Sequence, residues 1–169
     1  FLHFDPHPDL VKCQKASLER ADVIICVSEN TKNDMLKYFN VDEKKARVVY
    51  HGIDIPDLSR LPKRRLVGDE YILFVGRRHR HKNFKRFIEA FAIVHTKHPD
   101  IKLVCTGDKF TSEEISLMTD LKVIDAVKLI QANEVEMKML YRDASFFIFP
   151  SLYEGFGMPI LEAWSCNCP

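Results

Sequence analysis

The chain is 169 residues long, 46% hydrophobic and 29% charged, with 25 Lys and Arg against 24 Asp and Glu. That mix excludes a disordered chain, which would bury too little apolar surface to offset its ordering entropy, and the near-neutral charge excludes a dedicated nucleic-acid coat. The apolar runs reach about five residues against the roughly 20 that span a bilayer; no charged-then-apolar leader opens the sequence, and a cytoplasmic protein is expected.

In chain order, residues 10–20 read as a helix, and the apolar run 23–27 reads as a fully buried strand. Thr31 with Asp34 resembles a helix start, and Met35, Tyr38 and Phe39 supply that helix with an apolar stripe. Residues 47–50 form a second short strand, closed by His51-Gly52. Beyond Asp54 the texture changes: Pro56, Pro62 and Lys63-Arg64-Arg65 carry no hydrophobic period and read as an interdomain linker. The expected division is 1–58 and 59–169.

From residue 70 the alternation strengthens. Residues 71–75, 101–105, 126–130 and 145–149 are short apolar runs bounded by turn or polar residues. Phe84, Phe87, Ile88 and Phe91 fall at the spacing of one buried helix face. Thr111 with Glu114 forms a capping box before Ile115 and Met118. Met137, Leu140, Tyr141 and Ala144 make a third stripe. Strands this apolar, each followed by an amphipathic helix, predict an α/β fold with a doubly wound parallel sheet.

Metal and redox chemistry find little support. Cys13, Cys26, Cys105, Cys166 and Cys168 show no paired ligand spacing and read as reduced structural thiols. His79 and His81 stand among Arg77, Arg78, Arg80 and Lys82, whose charge repels a divalent cation.

Ligands of such sheets bind at the carboxyl ends of the strands. After the first strand of the second half, Gly76 lets backbone approach a ligand, and Arg77 to Lys82 bring charge to a helix start, which favours a phosphate site over a solvated basic loop. After the fourth, Gly155 and Gly157 permit a sharp turn and Pro159 can open a helix, with Glu154 in the turn and Glu162 in the helix. Glu162 could also simply balance the helix dipole. Carboxylates flanking a glycine turn beside a basic loop suit a ligand with both phosphates and hydroxyls, such as a nucleotide sugar. A nucleic-acid role for residues 77–86 is weaker, because few aromatics interleave the charges.

Glu154 and Glu162, set in a stretch that runs from Pro150-Ser151-Leu152-Tyr153 through Gly155-Phe156-Gly157-Met158-Pro159, resemble the E-x7-E motif of glycosyltransferase family 4 (group 1). Phe74-Val75-Gly76-Arg77 with Lys82-Asn83, the stretch from Val27-Ser28 to Lys32, and Val49-Tyr50-His51-Gly52-Ile53-Asp54 are further matches, so the resemblance runs over nearly the whole chain. It implies a retaining GT-B glycosyltransferase with a Rossmann-like sheet, incomplete at both ends. Residues 1–58 would close the N-terminal, acceptor-side domain, and 59–169 would open the nucleotide-sugar-binding domain.

The resemblance also implies roles. Arg77 and Lys82, with Gly76, would neutralise the leaving nucleoside diphosphate. Glu154 would contact the donor sugar at its reacting face as the catalytic carboxylate. Glu162 would hold the ribose hydroxyls, amides of Gly155, Phe156, Gly157 and Met158 would face sugar and phosphate oxygens, and Gln131 would lie beside the base. No metal or other cofactor is needed if Arg and Lys carry the charge, and no Asp-x-Asp occurs in the sequence. The partners implied are a nucleoside diphosphate sugar and a glycan or lipid-linked acceptor, with room for peripheral membrane association of the full-length protein. The alternative is a catalytically silent nucleotide-sugar-binding module. The family's acceptor-side histidine is expected upstream of Phe1, since His3-Phe4-Asp5 does not reproduce it.

Overall fold

The structure is a computed structural model and describes residues 8–169, so His3, Phe4 and Asp5 lie outside the described residues. The chain falls into two compact units. One runs to Gly52 and takes in Glu154–Gly157; the other comprises Ile53–Tyr153 and Met158–Pro169.

The first unit contains α1 (Pro8–Arg20), β1 (Ile24–Cys26), α2 (Glu29–Tyr38) and β2 (Ala46–Val48), with β1 and β2 paired in parallel, Ile24 opposite Ala46. Cys26 and Ala46 pack on Met35 and Phe39 of the α2 segment, with Val11 and Leu18 of α1 joining the cluster. The run 23–27 is therefore not buried throughout. Both helices cover one face, and with a period of two the alternate residues Val23 and Ile25 stay 60% and 66% exposed. The start of α2 also differs from expectation. Ser28, extended at φ −158°, is the N-cap and accepts from the Thr31 N–H at 3.0 Å, so Thr31 sits inside the first turn.

The second unit is a four-stranded parallel sheet of β3 (Tyr71–Phe74), β4 (Lys102–Cys105), β5 (Val127–Leu129) and β6 (Phe146–Phe147), in the order β5-β4-β3-β6. Its helices are α3 (Phe84–Lys97), α4 (Ser112–Asp120), α5 (Glu134–Asp143) and α6 (Met158–Ser165). Central β3 is buried at every position, and alternation divides it between two cores. Ile72 and Phe74 pack with Phe84, Phe87, Ile88 and Phe91 of α3 and Met118 of α4. Tyr71 and Leu73 pack with Leu140 and Tyr141 of α5 and Ala163 of α6. Each fully buried large side chain contributes about 1.5–3 kcal/mol. Tyr71 spends its hydroxyl on the Leu140 carbonyl at 2.8 Å, so its polar end is satisfied. Helices on both faces make the sheet doubly wound, as the sequence pattern predicts.

The capping box of α4 forms as its spacing predicts, Thr111 and Glu114 exchanging bonds. Residues 56–65 are irregular but for one short turn at Leu58–Arg60, and Arg142 holds them by donating to the Pro62 carbonyl at 2.9 Å. All five cysteines are free, Cys13 alone exposed. Burial pushes the Cys105 thiol up to about 12 and the Cys168 thiol up to about 11, which suits inert core thiols.

Candidate functional site

Strand order reverses between β3 and β6, so the topological switch point lies at their carboxyl ends. The loops leaving β3 and β6 are the two that the sequence marks out. They are tied together: the Leu152 N–H donates to the His81 carbonyl at 2.8 Å, and Asn83 Nδ2 donates to the Pro150 carbonyl at 3.2 Å.

Gly76 turns the chain off β3 at φ 104°, and Gly107 turns it off β4 at φ 107°. The two turns lie against each other, so closely that a Cβ on Gly107 would stand 2.6 Å from the Gly76 oxygen. Gln131, after β5, donates from Nε2 to the Gly107 carbonyl at 2.6 Å. The β3, β4 and β5 loops thus form one linked rim carrying Gly76, Arg77 and Gln131.

Arg77 is exposed, its Nε 3.6 Å from Asp108 Oδ2, and an ion pair that open to water holds its charge only weakly. Lys82 ends a short turn, Arg80–Lys82, with its ammonium 5.3 Å from the centre of the Phe149 ring. Asn83 follows in the left-handed region at φ 56°, not the extended backbone of an N-cap, and no side chain caps α3. No acidic residue stands in the first turn of α3. Its amide dipoles and the neighbouring cations therefore add up at one place, an arrangement that attracts an anion.

Arg78 behaves differently. Its side chain is 3% exposed, ion-paired through Nε to Glu114 Oε1 at 3.0 Å, with Nη2 donating to the Asp108 and Lys109 carbonyls at 2.5 and 2.9 Å. A run of charges gave no sign that one member is internal.

Met158 opens α6, and Glu162 lies one turn further along. The Tyr141 hydroxyl donates to Glu162 Oε2 at 2.9 Å, and burial followed by the facing carboxylate pushes that phenol far above its ordinary range. Tyr141 reads in sequence as a core stripe residue, and only the fold shows its polar end at work.

The remaining candidates, Glu154, Gly155, Phe156 and Gly157, belong to the first unit. The Gly155 carbonyl accepts from Ser28 Oγ and from Thr31 Oγ1, the latter at 3.1 Å, while Asn30 Nδ2 donates to the Glu154 carbonyl at 3.0 Å. Phe156 lies edge-on to His51 at 5.3 Å between ring centres and 6.1 Å from Tyr50. Gly157 takes φ 93°. Helix α2 thus holds the turn by its backbone carbonyls through three side chains. Sequence reasoning gave Ser28, Asn30 and Thr31 no such task. Among the described residues no group of His, Cys, Asp and Glu is arranged to hold a metal ion.

A family model described as glycosyl transferases group 1 matches residues 60–169, and one for glycosyltransferase family 4 matches residues 4–56. The chain is 29% identical over 156 residues to the O-antigen chain mannosyltransferase RfbU of Salmonella typhimurium, covering 92% of this chain and 43% of that protein. It is also 29% identical over 151 residues to the N-acetylgalactosamine-N,N'-diacetylbacillosaminyl-diphospho-undecaprenol 4-alpha-N-acetylgalactosaminyltransferase of Campylobacter jejuni, covering 88% and 40%. The chain therefore spans about two fifths of these relatives. Among solved structures, WaaG, a glycosyltransferase involved in lipopolysaccharide biosynthesis, aligns over 100% of this chain and 50% of its own with a TM-score of 0.76 at 19% identity. A TarM mutant of S. aureus, in complex with fondaparinux, α-GlcNAc-glycerol and UDP, aligns over 99% and 34% with a TM-score of 0.75 at 18% identity. The Rossmann-like parallel sheet is that of the GT-B fold, and the chain belongs to the group 1 glycosyl transferases.

Proposed function

We propose that the full-length protein transfers a hexose from a nucleoside diphosphate sugar to a glycan or lipid-linked acceptor, with retention of configuration. The observation that carries the reading is the cation-rich, uncapped start of α3 beside Gly76 at the switch point, in a chain of this family. The UDP in the TarM complex is consistent with such a donor.

In this reading Arg77 and Lys82 neutralise charge growing on the leaving diphosphate, doing electrostatically what a metal does elsewhere. Gly76 lets backbone reach the phosphates, and Gln131 borders the base. Glu154 acts on the donor sugar, Glu162 takes the ribose hydroxyls, and backbone amides from Gly155 to Met158 meet sugar and phosphate oxygens. Residues 1–58 close the acceptor-side domain and 59–169 open the donor domain. The reaction takes place in the cytoplasm, with peripheral membrane association when the acceptor is lipid-linked.

The test is incubation of the full-length protein with UDP-, GDP- and ADP-sugars and lipid-linked acceptors, with the anomeric configuration of the product read by NMR. Transfer with a retained anomer is expected. Donor binding without transfer to any acceptor would favour a silent binding module, and inversion would overturn the mechanism.

A further inference from the structure

We infer that Arg78 is a positioning residue for the phosphate-gripping loop, locking Gly76 and Arg77 against the β4–α4 loop so that their charge and amides meet the diphosphate in one fixed geometry. The inference rests on the donor reading above.

Arg78 adjoins Arg77 in sequence, yet the Arg77 side chain is 71% exposed and that of Arg78 only 3%. Its guanidinium reaches three points on the neighbouring loop and helix: the carbonyls of Asp108 and Lys109, and the Glu114 carboxylate. The other Glu114 oxygen accepts from the Thr111 N–H at 2.9 Å, so the contact runs straight into the capping box of α4. The guanidinium also lies against the stacked pair Phe110 and Phe84, 4.5 Å and 5.6 Å from their ring centres.

Stability alone does not account for this arrangement. The buried Nη1 has no hydrogen-bond partner. A buried cation with an orphan donor packs beside two phenylalanines less favourably than an apolar side chain of similar volume would. What the apolar side chain lacks is the planar fork, which holds two carbonyls and a carboxylate in one orientation. That fork acts one residue from Arg77 and two from Gly76, where the β3 and β4 turns are already in contact. Arg78 thereby makes the two loops a single rigid rim. An anion site whose donors are fixed in advance loses less entropy on binding than one that must be ordered.

The test uses the full-length protein as wild type, Arg78→Met, Arg78→Lys and Arg77→Ala. Each is titrated calorimetrically with UDP, GDP and ADP and with the matching nucleosides, and each is followed without ligand by amide hydrogen exchange. Arg78→Met is expected to speed exchange at residues 76–78 and 106–109. It is also expected to reduce the affinity advantage of the preferred diphosphate over its nucleoside about tenfold, with nucleoside affinity unchanged. Arg78→Lys keeps the charge without the fork and is expected to show the same loss, and it carries the comparison should Arg78→Met fail to fold. Unchanged exchange, a full diphosphate advantage in both variants, or rescue by Lys overturns the inference. If the wild type itself shows no diphosphate advantage and Arg77→Ala changes nothing, the donor reading has failed, a result distinct from failure of the Arg78 inference alone.

Discussion

The Tyr141 phenol donates its proton to Glu162 Oε2 at 2.9 Å from a ring only 2% exposed. Burial and the facing carboxylate both disfavour the phenolate, so the group remains a donor throughout the range in which proteins are folded. Helix α5 thereby sets the rotamer of a carboxylate on α6. Tyr141→Phe keeps the packing and removes the donor, and it is expected to cost about 1 kcal/mol of stability. Donor affinity should fall with it in the full-length protein. Thermal unfolding and titration with nucleoside diphosphate check the two effects separately; unchanged affinity would mean that Glu162 needs no such guidance.

Arg77→Ala and Lys82→Ala are each expected to weaken nucleoside diphosphate binding by about 1.5–3 kcal/mol, the range for hydrogen bonds to charged groups. Arg77, open to water, should leave thermal stability unchanged. Lys82, over the Phe149 ring, should lower it slightly. Titration of the folded variants decides the matter, and full affinity in both would remove the phosphate assignment.

The two carboxylates should separate in kinetics. Glu162 is fixed on a helix and hydrogen-bonded, which suits an interaction made equally in ground and transition states. Glu154 lies in a turn, where its backbone carbonyl accepts from Asn30. Glu154→Gln is expected to depress kcat, and Glu162→Gln chiefly to raise the donor KM. The reverse order would exchange their roles.

How much of this was legible in the sequence depends on the range of the interactions. The α3 stripe of Phe84, Phe87, Ile88 and Phe91 and the Thr111–Glu114 box are local and periodic, and both form as their spacing predicts. The switch point was not legible, because strand order is a matter of pairing between segments far apart in sequence. Arg78 looks like any member of a basic run, since the Phe110 ring and the Glu114 carboxylate that help to bury it lie 32 and 36 positions on. Ile25 looks buried in a run of apolar neighbours, but burial follows which face a helix covers. Thr31 and Asp34 mimic a helix start, and Ser28 prevails because its extended backbone and hydroxyl are placed to cap.

Gly107 gave no signal in the sequence, yet it should be among the least replaceable residues of the rim. Gly107→Ala forces a side chain into φ 107° and sets its Cβ 2.6 Å from backbone that cannot swing aside. The expected loss is about 1–3 kcal/mol of stability. Denaturant unfolding measures it, and a loss below about 0.5 kcal/mol would show that the Gly76 turn yields.

Helix α3 begins with no side-chain cap, no carboxylate in its first turn, and Arg80, His81 and Lys82 immediately ahead of it. Arg80 and Lys82 set positive charge against the positive end of the dipole, and no cap or carboxylate within the helix's own first turn offsets it, an electrostatic penalty at that point. Whatever anion binds there relieves the penalty. Occupancy is then thermodynamically equivalent to folding strength, and a ligand at a hundred times its Kd adds about 2.7 kcal/mol. Inorganic pyrophosphate should raise the melting temperature of the wild type and raise it less in Lys82→Ala, at matched ionic strength. The start of α3 makes the protein a reporter of its own ligand, readable by heat alone and without any knowledge of the sugar.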